Sequence, residues 1–530
     1  MSDSHDYIDI NEVFEVLNGS RIEHVSNEEF RDLSFGAPAA ERDTPLASYF
    51  VESEAYKAVE SGKKYIVLGN RGSGKSAIFR VIAEREKLSG GIVIQLSPED
   101  YSYEMLSSTM RPESEGAWAK QGAYTAAWKY LLFIQIMKEL NKTGSRLKRG
   151  PAADIYNYLR DHVEGQQTNP IGVMISFLKR MEGIKLGTYE ASLKARELDK
   201  LYRLEEINAL IPHIIDLCEK QKMTVLIDEL DKGWDSSEDA KSFIAGLFQA
   251  AIATNQYHPN LRVIISLRQE LYDSIPALYE DAQKYRDVMQ FVYWDESELL
   301  KLLANRIRHA VPRLSNVADG QAWTAVFPDT LDFRQSKTFN YLVDRTLYRP
   351  REIIQFASDI IETAKKNGSS TINYTTITEA EVLYSQARTQ DIAAEFKFQY
   401  PNLINIFEFF RGRFYSFART EAETIATEIS LREPRFGTDP AWAYLQDPEF
   451  LLDVLWRVGF LRAQVVGGIK ARRRSGSQYV GPHQIASINP KSITRYQVHP
   501  MFRIFLSMKE PKGPGQVEID ATTAEHTSGS

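Results

Sequence analysis

The chain has 530 residues, 43% hydrophobic and 25% charged, an ordinary globular composition with room for two to four domains. Its 64 basic residues stand against 71 acidic ones, a formal charge of −7 that excludes wholesale coating of nucleic acid and leaves a local basic patch open. A single cysteine, Cys218, excludes a disulfide framework within the chain and points to a reducing compartment, the cytoplasm; with no apolar run of about 18 residues and an acidic start, MSDSHDYIDINEVF, neither a membrane span nor a signal peptide is expected.

Residues 1–60 read as a lead segment. FGAPAAERDTPLASYFVESEAYKAVESG mixes turn formers with aromatics and runs into a helix. It is expected over the base-binding side of the loop that follows, its acids Glu41 and Asp43 equally readable as solvated surface. Next comes a short apolar run, Tyr65–Leu68, bounded by glycine as a buried parallel strand is. The loop after it, Gly69, Asn70, Arg71, Gly72, Ser73, Gly74, Lys75 and Ser76, fits G-x-x-x-x-G-K-S. Glycines let backbone amides curl round phosphate oxygens, and the following helix aims its N-terminus at the same anion. Lys75 is expected to neutralise the β- and γ-phosphates of ATP and the Ser76 hydroxyl to ligate Mg²⁺. Ala77, Ile78, Val81 and Ile82 then recur at helical spacing, so strand, loop and helix stand in the required order.

A second strand is expected near Ile92–Leu96, and a helical insertion at about 100–220. GAWAKQGAYTAAWKYLLFIQIMKEL reads as a long helix, KTGSRLKRGPAAD as a basic loop, and LEEINALIPHIIDLCEKQ as a helix with Cys218 on its apolar side as a small buried hydrophobe. Trp118 and Trp128 fit core packing better than stacking platforms. Thr224–Ile227 is the metal-side strand, ending in Asp228 to hold Mg²⁺ and Glu229 to polarise or position the attacking water. Asp231 either joins the metal shell or caps a turn. In the next strand, Val263–Ile265, Ser266 stands at the end, either facing the γ-phosphate or bonding backbone. Arg268 either serves the site or pairs with Glu270 or Asp273. Arg286 precedes a fifth strand, Val288–Val292, where an arginine of an oligomeric ATPase reaches a neighbour's γ-phosphate; an exposed arginine at a helix end is the plain alternative.

Residues 61–294 thus form the core and 295–395 a helical lid. Within the lid Pro350 suits a first helical turn, and Arg351 is placed to sense nucleotide or to meet solvent and a nearby acid. Thr376 and Glu379 have capping-box spacing at the next helix. Residues 396–508 read as helix, strand, basic loop, strand and short helix, the outline of a winged helix, with Lys470, Arg472, Arg473 and Arg474 at the wing tip for DNA phosphates or simply in solvent. The tail, 509–530, has a disordered composition.

LGNRGSGKSAIFR together with VLIDELDKGWD resembles the FunZ-like bacterial P-loop ATPases, and FGAPAAERD…L…YF is similar to their lead segment. DELD resembles KAP-type ATPases, IISLR the strand-end motif of STAND ATPases, and lid plus winged helix the origin-binding and helicase-loading members of the AAA+ class. The resemblance implies an α/β P-loop NTPase core of the ASCE/AAA+ kind, a parallel sheet of order 5-1-4-3-2 in which an extra strand separates loop strand from metal strand. It implies ATP hydrolysis coupled to rearrangement or assembly, with a homo-oligomer or an effector protein as partner, often in antiphage defence. Three readings stay open: an ATP-hydrolysing switch or motor, a nucleotide-gated scaffold with negligible turnover, and a winged-helix DNA regulator. Glu229 beside Asp228 disfavours a kinase, and no N-K-x-D-type guanine reader is present.

Overall fold

The computed structural model describes residues 23–97, 117–143, 149–163, 170–181, 204–280, 282–331, 336–431, 441–444, 446–465, 478–484 and 492–510. The chain divides into two compact units, Met1–Val326 with Tyr348–Ile354, and Phe327–Leu347 with Gln355–Ser530.

The first unit is built on five parallel strands, β1 (Ile66–Gly69), β2 (Ile92–Leu96), β3 (Met223–Ile227), β4 (Leu261–Arg268) and β5 (Met289–Phe291). Their order is β2-β3-β4-β1-β5, the order that the resemblance implies. The apolar runs are nearly continuous because both faces of the sheet are covered. Alternate residues divide between two cores: Val67, Leu226 and Ile264 join Phe79, Val81 and Ile82 of helix α1 (Lys75–Leu88), while Ile66, Leu68, Val225, Ile227, Val263 and Ile265 join the core on the opposite face.

That opposite face is where the insertion packs. Helix α2 (Ala117–Thr143) lies along α3 (Glu238–Asn255), and the indole N–H of Trp128 donates to the Phe243 carbonyl at 3.0 Å. Trp128 is therefore core; the side chain of Trp118 lies outside the described residues. Cys218 ends the helix Glu205–Cys218 fully buried in the same core, where burial pushes its thiol up to about 11.

The second unit carries an antiparallel sheet of order β6-β9-β7-β8, from β6 (Ser416–Ala418), β7 (Leu461–Val465), β8 (Gln478–Val480) and β9 (Arg495–Val498). The strand that returns from the basic loop is β8, only three residues and too short to show alternation in the sequence. The expected return strand is β9, which instead pairs with the other edge of β7 and with β6. Lys470 and Arg472–Arg474 of that loop lie outside the described residues, as does the tail after Glu510. One helix boundary also moves. The helix Tyr374–Glu395 is capped by Asn373, whose side chain accepts from the Thr376 amide at 2.9 Å, so Thr376 is already inside the first turn and Glu379 bonds Asn367. An asparagine three positions before that threonine takes the cap.

Candidate functional site: a phosphate loop and an acidic strand end

The loop after β1 takes its shape from two glycines with positive φ, Gly72 at 78° and Gly74 at 98°, a region costly for any other residue. Lys75 begins α1 and is only 9% exposed. Its ammonium donates to the Gly69 carbonyl at 2.7 Å and the Asn70 carbonyl at 3.0 Å. Burial pulls its affinity for the proton down, while the carboxylates of Glu270 and Asp228 oppose that pull. Ser76 lines two clefts. One, about 770 Å³ of open space, runs from Gly72 and Gly74 towards Tyr49, Phe50, Trp294 and Ile354 and is mostly apolar. The other, about 1010 Å³, carries the charged groups Arg80, Glu84, Lys87, Asp228 and Glu229 among apolar side chains such as Phe79, Leu96 and Leu226.

Asp228 and Glu229 follow β3 directly. Asp228 Oδ1 accepts from the Glu229 amide at 2.8 Å, and Glu229 has a positive φ of 60°, rare for a residue with a Cβ. The Glu229 carboxylate meets Lys232 Nζ at 2.7 Å. Ser266 sits in β4 opposite Val67 of the loop strand, 2% exposed, and its buried hydroxyl has no hydrogen-bond partner among the described residues. The buried Ser73 hydroxyl shares that condition. Arg268 is engaged by Asp231, an acid read from the sequence as metal ligand or cap, and lies 3.8 Å from Glu270, a partner the sequence did suggest.

Arg286 is exposed and precedes β5, at the amino-terminal edge of the sheet. The phosphate loop follows the carboxyl end of the parallel strand β1, so Arg286 lies on the far edge from its own loop. Arg351 lies in the first turn of helix α4 (Pro350–Lys366); its amide donates to the Gly72 carbonyl at 3.3 Å and its side chain packs on Gly72 so closely that a Cβ there would meet it at 3.0 Å.

Three contacts are not read from the sequence, although Arg349 itself is expected, with Arg351, to face the nucleotide from the start of its helix. Trp294, just past β5, donates its indole N–H to the Ser73 carbonyl at 2.7 Å. Arg349 donates to the Arg71 carbonyl at 3.2 Å. Asp43 is no solvated acid: it is 1% exposed, accepts from the Tyr49 hydroxyl, and pairs at 2.9 Å with Arg306 of helix Glu296–Ala310. Arg80 of α1 holds the same lead segment through the carbonyls of Ala40, Asp43 and Thr44. A tryptophan after an edge strand and single arginines carry no local signal of the carbonyls or acids they meet; only the fold brings them together.

The residues present suit a nucleotide with its metal. A loop that a Cβ at Gly72 would crowd, a buried lysine and two buried orphan hydroxyls all match a phosphate chain. Among the described residues no group of three or more His, Cys, Asp or Glu side chains could hold a metal alone. Ser76 and Asp228 are instead the sparse donor set with which Mg²⁺ is usually bound, completed by substrate phosphates. Among the described residues no helix is long and apolar enough to cross a membrane.

Sheet order, glycine loop and acidic strand end define a P-loop NTPase core of the arrangement in which β4 stands between loop strand and acidic strand. Residues 297–393 match the family described as the FunZ-associated C-terminal helical domain. The chain is similar to the putative transposon gamma-delta 80.3 kDa protein of Escherichia coli (strain K12), 26% identical over 386 residues, covering 71% of this chain and 54% of that one. It is also similar to the allergen Alt a 2 of Alternaria alternata, 29% identical over 121 residues, 23% of this chain and 62% of that one. The chain therefore spans between half and two thirds of the length of each of these relatives. Among solved structures it aligns with the Aeropyrum pernix ORC2 protein in ADPNP–ADP complexes at 11% identity and TM-score 0.34, covering 88% and 95% of the two chains. It aligns with the A. pernix ORC1 protein in complex with DNA at 10% identity and TM-score 0.30, covering 92% and 93%.

Proposed function

We propose that this chain binds ATP with Mg²⁺ and hydrolyses it, as a nucleotide-driven switch or motor. The observation that carries the reading is the convergence on Ser76 of two clefts, one beside the glycine loop with apolar walls and one that contains Asp228 and Glu229. Loop amides and Lys75 hold the phosphates; Ser76 and Asp228 hold the metal, which when bound neutralises charge developing on the transferred phosphoryl group. Tyr49, Phe50 and Trp294 offer the base an apolar wall. Glu229 takes or directs the proton of the attacking water, and the Ser266 hydroxyl faces the phosphate end from β4. Arg351 senses the nucleotide from the first turn of α4. Arg268, engaged by two acids, steadies the turn that carries Glu229. Arg286, on the far edge of the sheet, serves a neighbouring copy in a homo-oligomer.

The C-terminal unit is read as winged-helix-like, with Lys470, Arg472, Arg473 and Arg474 available to DNA phosphates. An effector partner, antiphage defence or another DNA-associated setting, and the cytoplasm complete the reading on the strength of the FunZ-like resemblance. One observation favours a second reading, a nucleotide-gated scaffold: the Glu229 carboxylate is held by Lys232.

Phosphate release by wild type and Glu229→Gln tests the choice. Hydrolysis predicts a rate about 10²–10⁴-fold lower in the variant, the usual worth of a general base, with nucleotide binding retained. Equal rates remove Glu229 from the mechanism, and a wild type that binds ATP without turnover is the scaffold.

A further inference from the structure

Every carbonyl of the loop from Gly69 to Gly74 is engaged, and of its amides that of Ser73 donates within the loop, to the Asn70 carbonyl at 3.2 Å. Lys75 Nζ takes the carbonyls of Gly69 and Asn70. Arg349 Nη1 takes that of Arg71 at 3.2 Å, the Arg351 amide that of Gly72 at 3.3 Å, the Trp294 indole that of Ser73 at 2.7 Å, and the Ile78 amide that of Gly74 at 3.0 Å. In a trans peptide unit the C=O of one residue and the N–H of the next point in opposite directions. Pinning the Arg71 and Ser73 carbonyls to one side therefore turns the Gly72 and Gly74 amides to the other. Among the described residues those two amides have no backbone acceptor.

We propose that Trp294 and Arg349 are positioning residues for phosphate binding, an outer brace that fixes the peptide planes of the loop so that its amides present to the polyphosphate. Both are built for a fixed place. Arg349 is 6% exposed and lies 3.8 Å from Glu352, itself 3% exposed, so its guanidinium is held on the helix that delivers it. The Trp294 ring lies against Gly74, where a Cβ would stand 3.7 Å from it. Pro350 flanks the same glycine, and its ring fixes the backbone between Arg349 and Arg351. A glycine-rich loop without such a brace would spend part of its time with peptides flipped, and each flip replaces an amide donor with a carbonyl that repels phosphate. The brace costs nothing at the moment of binding because it is already made.

The inference rests on the nucleotide-binding reading, and the experiment separates the two. ATP and inorganic tripolyphosphate are titrated calorimetrically into the full chain as wild type, Trp294→Phe and Arg349→Met. Trp294→Phe keeps an aromatic ring and removes the N–H together with the pyrrole half of the indole. The expected result is affinity for ATP weakened roughly three- to tenfold in each variant, the worth of one hydrogen bond, with the same fold loss for tripolyphosphate in a chain that stays folded at the titration temperature. Unchanged ATP affinity in Trp294→Phe overturns the brace while leaving the function intact. So does a loss confined to ATP, since that assigns Trp294 to the base rather than the loop. Should Arg349→Met fail to fold, Trp294→Phe decides alone. A wild type that takes up neither probe removes the function reading and the brace with it.

Discussion

Replacing Arg306 by Met should loosen the first unit at the lead segment. The Arg306 and Asp43 side chains are 5% and 0% exposed and meet at 2.9 Å, so removing the cation leaves a carboxylate buried with its charge uncompensated. Such breaks cost about 3–5 kcal/mol. Arg306 also lies over the Tyr49 ring, 4.4 Å from its centroid, and takes the Phe35 carbonyl. Against this, Asp43 keeps the Tyr49 hydroxyl and the Ala37 amide, which return about 1 kcal/mol. The expected net loss is about 3 kcal/mol. Native-state hydrogen exchange at β1 amides measures it within this unit alone, as an acceleration of about 10²-fold. Asp43→Asn with Arg306→Met should then cost at least about 2 kcal/mol less than the two single changes together, because neither charge is left stranded. Strict additivity would refute the buried pair as the lead segment's anchor. The same variant should weaken ATP, since Tyr49 and Arg306 line the apolar cleft.

Two further outcomes follow from named contacts. His499 is fully buried with Arg462 Nη2 at 2.9 Å from one ring nitrogen and the Met501 amide at 3.2 Å from the other, two donors that repel a second ring proton. Burial first, then the Arg462 charge, holds its affinity for the proton well below the ordinary value. The unfolded chain therefore binds one more proton below about pH 6.5, and the second unit should lose stability as pH falls, by about 1.4 kcal/mol per pH unit, down to the folded value. A urea series from pH 7.5 to 5 on wild type and His499→Gln checks this; equal slopes contradict it. Lys232→Met frees the Glu229 carboxylate from a half-exposed pair worth about 0.2–1 kcal/mol, so turnover should rise by at most about fivefold. A fall in turnover with ATP binding intact would instead place Lys232 in the reaction.

Much of the core was legible because its signals are local. The loop, its strand and its helix are contiguous, and an apolar run ending in Asp228 and Glu229 marks a strand's carboxyl end without help from the rest of the chain. The sheet order came from resemblance, since nothing in periodicity says that β4 slots between β1 and β3. What stayed hidden is contact across distance in sequence: Trp294 on Ser73, Arg306 on Asp43, and the Arg71 carbonyl as the target of Arg349, a residue expected only to face the nucleotide. Single aromatic or cationic residues look alike on a surface and in a core, and burial alone tells Asp43 from a solvated acid. The left-handed backbone of Glu229 had no glycine or asparagine to announce it. In the second unit β8 was lost to its brevity, and the strand read as its replacement pairs on the opposite side of β7.

The most direct test of the loop and the acidic strand end as one nucleotide site is calorimetric titration of ATP with Mg²⁺ into wild type and Lys75→Met. Uptake of one ATP per chain by the wild type, lost or weakened at least about a hundredfold when a charged donor is removed from the phosphates, is the predicted result. Equal uptake by both proteins, or none by a folded wild type, contradicts it.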